Sequence, residues 1–473
     1  MRKSKKQKKF HQLEIIDTAA KGKTLAKTVE GIPIFLSEGV PGDIVDIETF
    51  RKRKGYYEGR IVDYHKKSTL RTTPECSHFG TCGGCKWQHM TYAAQLQFKE
   101  KEVTQNIRRI GGIEPQKTDP ILGCDTPYFY RNKMEFSFSA NRWMTAEEIN
   151  GTDILDKNAL GFHKPGMWDK IVDIEKCHLQ ADPSNAIRNE IKRYALEHQL
   201  SFYAPKDQTG VLRTLMIRNS SIGQLMVLLQ VTKHDNMLGP LLDHLKVTFP
   251  AITSLLYVVN SKKNDSLYDQ KIICHTGNPF IVEQMEGLEF KIGAKTFYQT
   301  NSLQAYSLYK IVREFAQLGG DDVVYDLYTG IGTIAQFIAS AVKKVVGVDV
   351  VPESIESANE NATINGITNV AFEAGDMKSI FTEAFIKRHG RADVVITDPP
   401  REGMHKAVVK QLLVLAPKRI VYVSCNSATQ ARDLAEFKND YTIVRSQAVD
   451  MFPQTHHVEN VVLLEKRYLS VRK

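Results

Sequence analysis

The sequence predicts a multidomain chain: a small closed β-barrel, then an α+β domain on an antiparallel sheet, then a doubly wound α/β domain. Three observations carry this. Short strand-like runs broken by Gly and Pro fill residues 11 to 66. Alternating runs that read as antiparallel strands occupy the middle of the chain. From Val323 onward, apolar β-branched runs alternate with helical stretches, the signature of a mostly parallel sheet covered on both faces. The expected boundaries are a basic disordered tail at 1–10, the barrel at 11–70, the α+β domain at 71–285 and the doubly wound domain at 286–473.

Composition narrows the class. The chain has 473 residues, a quarter of them charged, and a formal charge of +9, with no low-complexity tract. No apolar run approaches the roughly 18 residues a membrane helix needs, and no apolar segment follows the basic start as in a signal peptide. A soluble, cytoplasmic protein is expected. Six basic residues in the first nine positions read as a solvated arm that can also attract phosphate backbones. Seven cysteines, an odd number without an export signal, argue against a disulfide framework.

In the barrel the expected strands are L-E-I-I-D-T, T-L-A-K-T-V, I-P-I-F-L-S, G-D-I-V-D-I-E-T-F and Y-Y-E-G-R-I-V-D-Y, with G-V-P-G-D at 39–43 as a turn. The segment R-K-R-K-G-Y-Y at 51–57 interleaves basic and aromatic residues, as single-stranded nucleic-acid surfaces do. A solvated hairpin tip is the plainer alternative.

Cys76, Cys82 and Cys85 form C-x5-C-x2-C, and Cys177 follows much later in I-E-K-C-H. Two glycines let the loop wrap so that the thiols can face one centre, either a tetrahedral zinc or an iron–sulfur cluster. Cys124 and Cys274 stand alone and are expected in the core. Gln95 to Ile110 reads as a helix ending at Gly111-Gly112. Arg131 and Lys133 in Y-R-N-K stand two apart and so share a strand face, facing either solvent or phosphate.

The doubly wound domain carries the chemistry. Its first turn, Y-T-G-I-G-T, fits the dinucleotide pattern through Gly330, Gly332 and Ala335. Asp326 before the turn would repel a pyrophosphate and welcome the ammonium and sulfonium of S-adenosylmethionine. Asp349, ending the next strand, suits the ribose hydroxyls of either cofactor. D-P-P-R-E-G at 398–403 makes a rigid turn with the carboxylate of Asp398 aimed into the cleft. I-V-Y-V-S-C-N at 420–426 ends a buried strand at Cys425, either an inert packing thiol or a nucleophile. Glu459, entering the apolar strand V-E-N-V-V-L-L, is costly there unless hydrogen-bonded or functional.

Taken together these motifs resemble the RNA 5-methyluridine (uracil-C5) methyltransferases, in the branch that has a TRAM domain, a small RNA-binding barrel of the OB type, and a [4Fe-4S] cluster, and that modifies 23S rRNA. The resemblance runs through E-C-x5-C-G-G-C-x-W-Q-H (Glu75 to His89), Y-R-N-K, F-Y-Q-T-N (297–301), D-P-P-R-E-G, S-C-N and P-Q-T-H-H-V-E-N (453–460). It implies a Rossmann-like methyltransferase domain that binds S-adenosylmethionine through Gln299, Tyr328, Asp349 and Asp376, with Asp398 at the cofactor or the base. It implies [4Fe-4S] ligation by Cys76, Cys82, Cys85 and Cys177, Cys425 as nucleophile and Glu459 as general base. Ser427 stands where the family carries a proline, a departure expected to loosen that turn. The implied substrate is RNA, 23S rRNA favoured and tRNA possible, with the protein acting as a monomer. Two other classes are weighed. A DNA cytosine-C5 methyltransferase needs a Pro-Cys nucleophile on the fourth strand, which the chain lacks there. A non-catalytic RNA-binding ribosome assembly factor would have been signalled by loss of Cys425 or Glu459, and both are present.

Overall fold

A computed structural model describes residues 8–151 and 156–467. The proposed tail therefore lies largely outside the described residues; of its ten positions, Lys9 and Phe10 already belong to the barrel's first strand.

The barrel is built from β1 (Lys9–Ala19), β2 (Lys23–Lys27), β3 (Pro33–Leu36), β4 (Ile44–Arg53) and β5 (Tyr56–Lys66), closed in the order β1-β2-β3-β5-β4. Alternation puts Ile15, Ala26, Ile34, Val45 and Ile47 inside. The 39–43 turn is needed where it stands. Gly39 has φ 101°, and a Cβ there would lie 2.3 Å from Ile15 Cδ1. At the β4–β5 tip Arg51 to Lys54 are exposed, but Tyr57 turns inward and is core, so the tip offers cations with Tyr56 and Phe50 rather than a pair of tyrosines.

Two elements follow that sequence reading assigned to the middle domain. Helix α1 (Tyr92–Arg109) matches the expected helix closely but packs on the C-terminal domain. Strand β6 (Lys117–Leu122) joins the C-terminal sheet, parallel to a strand near the chain's end. The middle domain proper has β7 (Lys133–Ser139), α2 (Ala146–Asn150), β8 (Ala159–His163), β9 (Ile171–Asp173), α3 (Ser184–Glu197), β10 (Leu212–Asn219), β11 (Leu225–Val231), α4 (Leu238–Thr248), β12 (Ser254–Val259) and β13 (Ile272–Gly277). Its sheet runs β13-β12-β11-β10-β7-β8-β9, antiparallel except for the β11–β12 pair. Cys124 is buried as expected, whereas Cys274 is exposed on β13, an edge strand with one solvent-facing side. The hairpin β14 (Phe280–Met285) and β15 (Leu288–Gly293) straddles the expected boundary at 285/286.

The C-terminal domain comprises α5 (Ser302–Ala316), β16 (Val323–Leu327), α6 (Thr333–Ile338), β17 (Lys344–Asp349), α7 (Pro352–Ile364), β18 (Val370–Ala374), α8 (Glu383–His389), β19 (Val394–Thr397), α9 (Lys406–Leu415), β20 (Arg419–Ser424), α10 (Ser427–Phe437), β21 (Tyr441–Val449) and β22 (Glu459–Lys466). Strand order is β18-β17-β16-β19-β20-β22-β21-β6, with β18 to β20 parallel and β22 antiparallel to both neighbours. The order reverses beside β16, so the carboxyl ends of β16, β17 and β19 open a crevice where such sheets hold ligands. Among the described residues no helix is long and apolar enough to cross a membrane.

Helix α1 is tied to the β21–β22 loop by a buried ion pair. Lys99 Nζ lies 2.6 Å from Asp450 Oδ1, both side chains fully buried, and Tyr92 donates to the other carboxylate oxygen at 3.0 Å. Breaking such a pair strands a buried charge. Lys99→Met is therefore expected to cost about 3–5 kcal/mol, seen as a fall in melting temperature that Lys99→Met/Asp450→Asn largely reverses. Equal melting of the two variants would contradict this.

Candidate active site

The candidate cofactor rim is built from three strand ends. After β16, Tyr328 (φ 62°), Gly330 (φ 55°) and Gly332 (φ 76°) make a tight turn into α6. A Cβ on Gly332 would sit 2.6 Å from the Phe372 ring, so only glycine fits. Asp349, at the end of β17, accepts from Gly330 N and Val351 N at 2.9 Å each, which fixes its carboxylate at the crevice. Asp326 lies beneath the turn, with one of its two oxygens committed to it. It is buried, and its Oδ2 accepts from Thr329 Oγ1 at 2.5 Å and Ala335 N at 3.1 Å, so it braces the turn from below. Burial pushes its carboxyl up to about 7. Asp376 follows β18 on the same rim, with Oδ1 accepting from Lys378 N. Burial raises the Tyr328 hydroxyl to about 12, aided by the charges of Asp433, Asp376 and Asp349, which places Tyr328 among these carboxylates.

Gln299 is 9 % exposed, just ahead of α5. Its carbonyl accepts from Asn132 Nδ2 at 2.8 Å, and Asn132 N donates to the next carbonyl, Thr300, at 2.8 Å. The Y-R-N-K segment thus grips the backbone of F-Y-Q-T-N.

Asp398, Cys425 and Glu459 come together on adjoining strands. Asp398 follows β19, Cys425 follows β20 and Glu459 opens β22. Burial lifts the Asp398 carboxyl to about 7, with the Asp326 charge adding to it. Glu459 is raised well above the carboxylate range, by burial first and then by Asp398, with Arg401 opposing. Burial pushes the Cys425 thiol up to about 11, Glu459 and Asp398 push the same way, and Arg401 again opposes. Sequence reasoning missed Arg401, although it stands inside the D-P-P-R motif; it is the cation that faces these acids.

The turns that follow β19 and β20 are locked together. Asn426 caps α10, accepting from Ala428 N at 3.2 Å, and its Nδ2 donates to the Arg401 carbonyl at 3.0 Å; Thr429 Oγ1 donates to the same carbonyl at 3.1 Å. Ser427 begins the helix and its Oγ accepts from Asn106 Nδ2 of α1 at 2.9 Å. Proline would suit that first helical position but would lose this link. The serine thus exchanges turn stiffness for a tie to α1.

Cys425 opens on a cavity of about 570 Å³ whose walls include Arg401, His456 and His457 on one side, α1 on another and barrel residues Asp17 to Lys21 on a third. His456 and His457, also missed though both lie in T-H-H, are driven down to about 3 and 4 by burial, so both imidazoles are neutral at physiological pH. The barrel is therefore a wall of this cleft and not a remote tether.

The four predicted ligand cysteines, Cys76, Cys82, Cys85 and Cys177, line a second cavity of about 410 Å³ with Arg131, Lys133 and Lys176. All are free thiols. Burial raises Cys82 to about 11 and Cys85 to about 12, with Cys177 and Cys76 among their charged neighbours. Among the described residues no group of three or more His, Cys, Asp or Glu is placed to hold a metal ion. The cysteine loop touches the catalytic side through backbone: Lys86 N and Trp87 N both donate to the Gln454 carbonyl, at 2.9 and 3.0 Å.

Fold and rim define a methyltransferase that uses S-adenosylmethionine, preceded by a β-barrel. Residues 268–467 match the family model for tRNA (uracil-5-)-methyltransferase. The chain is 52 % identical to an RNA methyltransferase of Bacteroides thetaiotaomicron, over 95 % of this chain and 100 % of that one. It is 50 % identical to an RNA methyltransferase of Porphyromonas gingivalis, over 96 % and 99 %. It also resembles the crystal structure of Pyrococcus abyssi tRNA (uracil-54, C5)-methyltransferase in complex with S-adenosyl-L-homocysteine, with TM-score 0.74 and 28 % identity over 95 % and 99 % of the two chains. The chain belongs to the RNA uracil-5-methyltransferase family.

Proposed function

We propose that the protein methylates carbon 5 of one or more uridines in 23S rRNA, with Cys425 as nucleophile and Glu459 as general base. The observation that carries this is a cavity large enough for an extruded nucleotide, lined by Cys425 and Arg401, with the buried carboxyls of Asp398 and Glu459 near enough behind it to raise the Cys425 thiol.

Carbon 5 of uracil is too weak a nucleophile to act unaided. Cys425 adds as thiolate to carbon 6, and the electrons of the 5,6 double bond move toward the carbon-4 carbonyl, making carbon 5 nucleophilic. S-adenosylmethionine, when bound, supplies the electrophilic methyl group. Gln299, Tyr328, Asp349 and Asp376 hold that cofactor, and Asp398 orients it or the base. Glu459 then takes the carbon-5 proton; the freed pair restores the double bond as the sulfur–carbon bond breaks and the thiolate leaves. Arg401 supports the anionic forms of both groups.

Cys425 and Glu459 must both be deprotonated to act, and burial raises both. The rate of 5-methyluridine formation should therefore climb as pH rises from neutrality toward the thiol's range. A bell centred below neutrality would argue against these roles.

That Cys76, Cys82, Cys85 and Cys177 line one cavity supports a [4Fe-4S] cluster, which takes one thiolate per iron, although among the described residues these side chains are not drawn in around a metal position. This group would hold the 76–85 loop to the Cys177 segment. Protein purified without oxygen should carry about four irons and four sulfides per chain, and Cys177→Ser should lose most of both. One zinc per chain would replace this reading.

The cysteine set and barrel favour rRNA through the branch they resemble. A second reading, tRNA, is favoured by the likeness to the Pyrococcus abyssi enzyme. Mapping 5-methyluridine in total RNA with and without this protein decides between them. We place the enzyme in the cytoplasm as a monomer.

A further inference from the structure

Phe129 is out of place by ordinary backbone rules. Its φ is 55°, in the left-handed region that bulky L residues avoid, and the residue is 47 % exposed. Glycine would serve such a backbone better. The conformation is imposed from both sides: Phe129 N donates to the His178 carbonyl at 2.8 Å, and Arg131 N to the Leu179 carbonyl at 2.8 Å. Residues 129–131 are thus laced to the two residues that follow Cys177. Strain kept at an exposed aromatic is a reason to look for a ligand.

The surroundings indicate which one. The Phe129 ring lies 5.8 Å from the His178 ring, and Tyr128 stands 6.3 Å from the same imidazole. Arg131, Lys133 and Lys176 line the adjoining cysteine cavity. Arg131 lies 5.8 Å over the Phe452 ring, and its charge reaches His457, which lines the Cys425 cavity. Cations therefore line the cysteine cavity beside the His178 ring that Phe129 touches, and one of them, Arg131, acts electrostatically on the nucleophile's cavity as well. That combination suits single-stranded nucleic acid, whose backbone follows the charges while a base stacks on the ring.

We infer that Phe129 is a stacking platform for an unpaired base of the RNA strand that flanks the target uridine. The inference rests on the RNA-methylating function proposed above. The backbone strain gives it an unusual test, because removing the ring and relieving the strain have opposite effects. Phe129→Gly should melt no lower than the natural protein. Its affinity for a labelled oligoadenylate of about 20 nucleotides, measured by fluorescence anisotropy, should fall about tenfold, while its affinity for S-adenosylmethionine stays unchanged. Phe129→Trp should bind the oligoadenylate at least as well as the natural protein. Unchanged affinity of Phe129→Gly for the oligonucleotide overturns the platform, as does a lower melting temperature without loss of affinity, which would make the ring a packing residue. A surface built for a protein partner would give the first of these results. The underlying function fails separately: natural protein that binds oligoadenylate through Phe129 yet makes no 5-methyluridine in total RNA keeps the platform and loses the methylation reading.

Discussion

Cys425→Ala is expected to abolish 5-methyluridine formation, a loss on the order of 10⁴-fold or more. Among the described residues no other thiol lines that cavity. The cost falls on chemistry and not on folding, because Cys425 is only half-buried at the end of its strand and the cap made by Asn426 stays intact. RNA carrying 5-fluorouridine separates the roles. Fluorine cannot be taken as a proton by Glu459, so the sulfur–carbon bond formed with Cys425 persists. Natural protein should migrate as a protein–RNA adduct in a denaturing gel and Cys425→Ala should not. An adduct in the alanine variant, or residual turnover within tenfold, would assign the nucleophile elsewhere.

The second large effect concerns the last proton. Glu459→Gln keeps the shape of the side chain and removes its capacity to take a proton, so turnover should fall roughly 10²–10⁴-fold. Unlike the cysteine variant, it should accumulate a covalent adduct with ordinary uridine RNA, because addition and methyl transfer precede the blocked step. Stability should hold or rise. The native carboxyl binds its proton more tightly than it would in an unfolded chain, so folding loses support as pH climbs above the ordinary carboxylate range, and the amide has nothing to ionise. Lost turnover without an adduct would move the proton removal to another group, with Asp398 the nearest candidate by charge.

Much of this site is visible in the residues themselves. Cys425, Asp398, Asp349 and Tyr328 sit at strand ends, where an apolar run stops abruptly at a polar residue, and period and punctuation place such positions well. Glu459 stands out because a carboxyl in an apolar run has few innocent explanations. The pattern says less about where a carboxylate points. Asp326 and Asp349 look alike in sequence, yet one braces the turn from within and the other faces the crevice. His456, His457 and Arg401 lie within recognised motifs but gain meaning only when the barrel and α1 close the cavity around them. Cys274 misleads because its apolar neighbours suggest a core, and only the strand order shows an edge. K-T-D-P-I-L gives almost no strand signal. It carries a proline, tolerable on an edge, and its partner lies far along the chain.

That edge strand, β6, has a consequence for how the protein is made. It leaves the ribosome early and can find its place only when β21 has been synthesised; the Arg445–Asp119 contact that accompanies the pairing joins residues 326 apart. Loop closure on that scale slows folding and leaves an unpaired strand waiting meanwhile. A fragment cut at residue 286 would keep every proposed catalytic residue and lack the barrel, α1 and β6, leaving the edge of β21 bare and two walls of the Cys425 cavity missing. The catalytic domain is thus discontinuous in sequence, closed at one edge by a strand from residues 117–122, with the barrel ahead of that strand and the middle domain inserted behind it, as parts of one assembly that cannot be completed until synthesis is nearly over.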